Sequence, residues 1–197
     1  MTAVNGLLTT AAILAAMAGV VVLFRLAIRR PRHVSRVDPP GLRTVAVFFG
    51  DNPELFADDK EDEPFVGIRF FAALSSALGT AGIEVAHRGH LQYAQQALCV
   101  VGDKRFSLVL ERLEDRWVAS VEWVPETAAQ RRHLALTHEV FAPPDSPALR
   151  RLLGALHDRL RSHPALSGLR WYRKELWMAE DTSDPGDGPI DGPAEPG

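Results

Sequence analysis

The first 24 residues of the chain carry no charged side chain, and four arginines follow at once: Arg25, Arg29, Arg30 and Arg32. Residues 7–28 form a nearly continuous apolar run, close to the roughly 20 residues that a helix needs to cross a membrane's hydrocarbon core. A helix can enter lipid because it satisfies its own backbone hydrogen bonds. The sequence therefore predicts a single transmembrane anchor over residues 1–30.

A cleaved signal peptide is the main alternative to this anchor. Ala16, Met17 and Ala18 could imitate a cleavage site, but the apolar run continues to Phe24 and the positive charge follows it instead of preceding it. Basic residues are retained on the cytoplasmic side of a membrane. We therefore expect an uncleaved signal-anchor in the cytoplasmic (inner) membrane, with the N-terminus outside and the soluble domain in the cytoplasm.

Small residues recur every four positions in the anchor, at Ala11, Ala15 and Gly19. This spacing allows two helices to approach closely, which makes weak self-association a hypothesis, but chance spacing in an alanine-rich span explains it better. The arginines that follow suit the anionic headgroups of the bilayer.

Composition limits the chemistry of the chain. Arginine far outnumbers lysine, and alanine, glycine and proline are plentiful, which is typical of a high-GC bacterial genome. Cys99 is the only cysteine, so an intramolecular disulfide and a cysteine-based metal cage are both excluded. Because Cys99 lies in an apolar, strand-like run, we expect a buried and inert thiol. We predict no cofactor.

Charge and proline content divide the remainder of the chain into three parts. Residues 31–43 form a basic, proline-rich linker, and residues 44–178 have the usual size of one domain with one core. Residues 179–197 hold six acidic side chains and no base, among many glycines and prolines. Such a segment buries little apolar surface, so we expect a disordered acidic tail.

Hydrophobic periodicity predicts the elements of the domain in the order strand, helix, strand, three-stranded meander, helix, strand. The last helix is the clearest, with Ser146 as its N-cap and Pro147 in its first turn. Residues 126–141 fit either a strand or a helix. Strands that mostly follow one another directly imply an α+β fold, a two-layer sandwich of a mostly antiparallel sheet with two helices on one face.

An acidic loop before the first helix is the main candidate for partner binding. It spans residues 51–63, opposes its acids with Lys60 alone, and lacks the alternation and central glycine of a calcium loop. We expect it to dock a protein partner with a basic surface; the alternatives are a solvated loop and a cation site. Its acidic residues are Asp51, Glu54, Asp58, Asp59, Glu61, Asp62 and Glu63.

Histidines offer only a weak metal site. His87 and His90 could hold zinc together with a carboxylate, but no metalloenzyme motif surrounds them. Phosphate-binding loops and the GxSxG elbow are absent from the sequence, and no serine has an evident local base. His157 and His163 are explained as favourable positive charges near the end of the last helix.

A basic and aromatic cluster closes the domain, and it could stack bases or hold an anion. With a formal net charge of −3, the chain is not basic as nucleic-acid binders usually are, so we expect no nucleic acid. A strand that buries its aromatic side chains and exposes its arginines explains the cluster better. Its members are Arg170, Trp171, Tyr172, Arg173, Lys174 and Trp177.

These observations favour a non-enzymatic, membrane-anchored interaction module that acts through the acidic loop. In general plan such a domain resembles bacterial immunity or adaptor proteins, a resemblance of plan and not of any motif. Two alternatives stay open: a small metal-dependent hydrolase, and an immunity-type protein that binds a basic toxin.

Overall fold

A computed structural model describes residues 35–50, 67–91, 94–137 and 141–191 of the chain. The predicted anchor and the whole acidic loop lie outside these residues. Among the residues that are described, no helix has the length and apolar character needed to cross a membrane. The elements in chain order are β1 Val45–Gly50, α1 Ile68–Thr80, β2 Glu84–Leu91, β3 Ala94–Val101, β4 Lys104–Leu113, β5 Arg116–Trp123, α2 Ala128–Thr137, α3 Pro147–Ser162, β6 Leu166–Tyr172 and α4 Lys174–Met178.

The six strands form one antiparallel sheet in the order β2-β3-β4-β5-β1-β6. The predicted meander is β3 to β5. The first strand of the domain, β1, lies between β5 and β6, and the chain then passes through α1 to reach β2 at the opposite edge. The predicted α+β fold with an antiparallel sheet is confirmed.

One face of the sheet carries the main core. Alternation along β1 directs Ala46 and Phe48 into a buried cluster that also contains the apolar stripes of α1 and α3. Val45 and Val47 lie on the opposite face, in a smaller cluster with Val118. Tyr172 and Trp177 pack against this second cluster, so both faces of β1 are buried.

The ambiguous stretch after β5 is helical because it contains a capping box. The Thr127 hydroxyl accepts a hydrogen bond from the backbone N–H of Gln130, and the Gln130 side chain accepts from the N–H groups of Thr127 and Glu126. Free donors of the first turn are thereby satisfied, which favours a helix over a strand at α2.

The chain on either side of the predicted domain is more ordered than we expect from composition. Within residues 35–43, Leu42 and Asp38 are almost fully buried, so this part of the predicted linker belongs to the domain. The prediction of a disordered tail is wrong for residues 181–191, because they form backbone bridges at Gly186 and Ile190. Long-range pairing with a preformed sheet edge supplies the stabilisation that the segment's own composition lacks.

Candidate functional site

The acidic loop connects the strand β1 to the helix α1, and its own residues fall outside the described part of the chain. It follows Gly50, the last residue of β1, and precedes Gly67, the N-cap of α1. Gly67 has a left-handed conformation with φ of 80°, and a side chain there would collide with the buried ring of Trp117. The β4–β5 turn at Glu114 and Asp115 lies at the same end of the sheet, as the pairing of Phe48 with Trp117 shows.

The fold does not strengthen the alternative of a metal site at His87 and His90. His87 and His90 are both in β2, paired in register with Leu98 and Gln95. Within the described ranges, no group of three or more His, Cys, Asp or Glu residues is arranged to hold a metal ion.

The side chains that could serve as nucleophiles have structural partners. Ser75 donates to the carbonyl of Phe71 one helical turn earlier, and Ser107 binds the Gln96 amide. Burial raises the pKa of the Cys99 thiol to about 12, which agrees with the expectation of an inert thiol.

His157 and His163 do not act as positive charges for the end of α3, contrary to our expectation from sequence. Nδ1 of His157 accepts a hydrogen bond from the Trp171 indole, and Nδ1 of His163 accepts one from the N–H of Ala165. Burial lowers the pKa of both histidines. Asp158 raises the pKa of His157 in part and Arg161 lowers it, while Arg159 lowers the pKa of His163 further. Both imidazoles are therefore acceptors in the neutral form.

The basic and aromatic cluster separates onto different surfaces. Trp171 is fully buried on the helical side of β6, whereas Tyr172 packs against Trp177 on the other side, with ring centroids 5.5 Å apart. Arg170 is exposed, as expected, and it also pairs with Asp187 of the tail, whereas Arg173 is only 32% exposed and lies 3.8 Å from Asp191.

A buried carboxylate ties the start of the domain to its end. Asp38 accepts hydrogen bonds from the N–H and hydroxyl of Thr44 and from the N–H of Lys174. The N–H of Asp38 in turn donates to Glu175, 2.8 Å away. Burial raises the pKa of Asp38, while its three hydrogen bonds lower it. These contacts fix residues 38–44 against α4.

Lys174 carries a buried ammonium group on the sheet face opposite α1 and α3. Its side chain is only 3% exposed, and Nζ lies 3.4 Å from the carboxylate of Glu122. Glu111 is close enough to interact with both groups: burial raises its pKa, Glu122 raises it further and Lys174 lowers it. Lys174 pairs with Glu122, and Glu111 adds a second carboxyl group beside this pair, so we interpret the cluster as a structural charge network.

The most distinctive polar site is formed by three arginines at the β6 edge, which we call the arginine groove: Arg43, Arg170 and Arg173. Residues 181–191, the tail segment, occupy this groove. Arg43 pairs with Asp191 and lies 3.8 Å from Asp184, and its guanidinium rests against Gly186, where any Cβ would fall 2.7 Å from Cζ. Arg170 pairs with Asp187 at 2.6 Å, and Arg173 lies 3.8 Å from Asp191.

Backbone hydrogen bonds hold the tail segment in the same groove. Trp171 and Gly186 exchange two N–H···O bonds of 2.8 Å, so the tail pairs with the outer edge of β6. A second bridge joins Leu42 and Ile190, where the N–H of Arg43 donates to the carbonyl of Pro189. The arrangement is that of an extended acidic peptide bound at a sheet edge between arginines.

No protein-family model, no curated protein and no solved structure matches this chain. Sequence reasoning missed the pairing of Arg43 with the tail, and it missed the hydrogen bonds that join Asp38 to Lys174. The one available signal was the complementary charge of the arginines around β6 and the aspartates of the tail.

Proposed function

We propose that this protein is a single-pass protein of the cytoplasmic membrane whose α+β domain acts, without catalysis, as a protein-interaction module. Support for the anchor comes from the uncharged residues 1–24, the apolar run over residues 7–28, and the arginines from Arg25 to Arg32. The N-terminus lies outside and the domain lies in the cytoplasm, where tethering raises its effective concentration toward any partner at the same membrane.

The acidic loop is the surface that we propose for partner binding. The observation that carries this proposal is a stretch of seven carboxylates against one lysine, between the strand β1 and the helix α1, which both bury apolar side chains. The neighbouring β4–β5 turn adds Glu114 and Asp115 at the same end, while Arg116 lies 3.7 Å from the Asp115 carboxylate. A concentrated negative surface accelerates encounter with a basic partner and selects against acidic ones.

Capture from native membranes tests this function. The full-length chain is compared with a variant that carries Asn or Gln in place of the seven loop acids. We expect a stoichiometric partner with a basic surface to come down with the wild type at low salt and to be lost with the variant. Three exposed acids outside the loop and the β4–β5 turn provide the control, which should keep the partner: Glu84→Gln, Asp103→Asn and Glu180→Gln. Equal recovery with the wild type and the loop variant would disprove loop docking.

A reporter fused after Gly197 tests the proposed orientation independently. A reporter that is active only in the cytoplasm should report activity. Activity restricted to a periplasmic reporter would reverse the topology, and it would favour an immunity-type protein that meets a toxin outside the cytoplasm.

A further inference from the structure

The tail segment leaves the arginine groove incompletely satisfied. The Arg43 side chain is only 9% exposed, yet among the described residues its Nε has no hydrogen-bond partner. The buried Nε of Arg173 lacks a partner in the same way. A guanidinium offers five donors in a planar fork and binds carboxylates best through paired bonds. The groove therefore retains donor capacity that a carboxylate-bearing ligand could use.

The charged contacts made by the tail segment involve exposed aspartates. Of their side chains, 58% of Asp184, 89% of Asp187 and 43% of Asp191 is exposed. Ion pairs with such exposed partners contribute little to stability. Pro189 and Ile190 supply its main apolar contacts, and its glycines and prolines prevent a continuous ladder with β6.

We propose that the arginine groove is a binding site for an extended acidic segment of a partner protein, and that the chain's own tail occupies it in cis as a displaceable competitor. Backbone pairing with the β6 edge at Trp171 would supply affinity for any extended chain. Arg43, Arg170 and Arg173 would select carboxylates at matching positions. The arginine groove would bind a negatively charged segment, whereas the acidic loop would bind a positively charged surface. The two proposals can therefore be tested independently.

A peptide in trans tests the site directly. The probe is a fluorescein-labelled peptide of residues 181–197, titrated into the full chain in detergent and followed by fluorescence anisotropy. A tail-released variant carries Asp184→Asn, Asp187→Asn and Asp191→Asn. Because a tethered competitor lowers the apparent affinity of a free ligand, we expect the peptide to bind this variant about tenfold or more tighter than the wild type.

Matched variants separate the groove from general charge attraction. Adding Arg43→Ala to the tail-released variant should weaken peptide binding by about tenfold, a typical loss for a buried charge-assisted contact. Arg105→Ala, at an exposed position of β4, should leave binding unchanged. A scrambled peptide of the same charge should bind more weakly than the native order. Absence of binding to a folded tail-released variant, or equal binding after Arg43→Ala, would overturn the proposal.

If the tail-released variant does not fold, hydrogen exchange of the wild type tests whether the tail segment leaves the arginine groove. The N–H groups of Trp171 and Arg43 donate to the tail, so local release should let them exchange about 100-fold faster than amides of the central strand β4. Equal rates would mean that the tail leaves only on global unfolding, and the proposal would be wrong. Dimers of the wild type that disappear on Arg43→Ala would assign the groove to a second copy's tail instead of a partner.

Discussion

Nε1 of Trp171 donates a hydrogen bond to Nδ1 of His157 across 3.1 Å, joining the edge strand β6 to helix α3. The backbone of the same tryptophan pairs with Gly186, so one residue connects the core, the sheet edge and the tail segment. The bond requires His157 to be neutral at Nδ1, which agrees with the pKa lowered by burial.

This bond predicts a pH dependence of stability. Because the pKa of His157 is lower in the folded chain than its ordinary value of 6.5, the unfolded state binds a proton more readily. The free energy of unfolding should therefore fall as pH drops below about 6.5. His157→Asn keeps an acceptor near Nδ1 but does not titrate, so it should show a smaller fall. Urea denaturation at pH 7.5 and 5.5 provides the measurement, and an equal fall in both proteins would contradict the assignment.

Glu111 predicts the opposite dependence on pH. Burial and the charge of Glu122 raise its pKa above the ordinary value of 4.5, so the folded state keeps its proton to higher pH than the unfolded state does. Its ionisation destabilises the fold as pH rises from about 4.5 through the folded pKa. Glu111→Gln should match the wild type at pH 4 and be more stable at pH 7 by roughly 0.2–1 kcal/mol, as for a like-charge contact within a sheet.

Denaturation of both proteins at the two pH values measures this difference. Glu84→Gln, an exposed position on β2, controls for the loss of one negative charge. A Glu111→Gln variant that is less stable than the wild type at pH 7 would show that the attraction of Lys174 outweighs the repulsion of Glu122.

Gly67 predicts a strong local requirement for glycine before α1. An alanine there would adopt a left-handed φ of 80° and place its Cβ 2.5 Å from the buried Trp117 ring. Backbone strain and overpacking together should cost about 2–5 kcal/mol of unfolding free energy. In contrast, Gly154→Ala lies inside α3 with no atom within 4 Å of the new Cβ, and should stabilise by about 0.5–1 kcal/mol. Thermal unfolding of both variants tests the contrast.

Local patterns were enough to predict most of the sheet and helices. The alternation of Phe106, Leu108 and Leu110 predicts β4, and the N-cap at Ser146 predicts the start of α3, because both signals act between residues that are near in sequence. The capping box at Thr127 and Gln130 was present too, but the apolar spacing around it fits two structures.

Such local patterns do not predict pairings between residues that are distant in the sequence. Arg43 and Asp191 are 148 positions apart, and Asp38 and Lys174 are 136 apart. Composition alone predicts a basic linker at Asp38 and Arg43 and a disordered acidic tail at Asp191. The order of strands, with β1 between β5 and β6, likewise depends on crossovers that leave no local trace.

Gly186 and Gly188 provide the sharpest test of how the tail segment is held. The Arg43 guanidinium lies directly against Gly186, so that an alanine Cβ would fall 2.7–2.8 Å from Cζ, Nε and Nη1. Because Arg43 is nearly buried, it has little room to move aside. Gly186→Ala should loosen the tail at a cost of about 1–3 kcal/mol, the usual range for overpacking. The amide of Trp171, which donates to the Gly186 carbonyl, should then exchange faster with solvent. Gly188→Ala meets no atom within 4 Å and should leave that exchange rate unchanged. If the Trp171 amide exchanges at the wild-type rate in both variants, the Arg43 guanidinium does not hold the tail at Gly186.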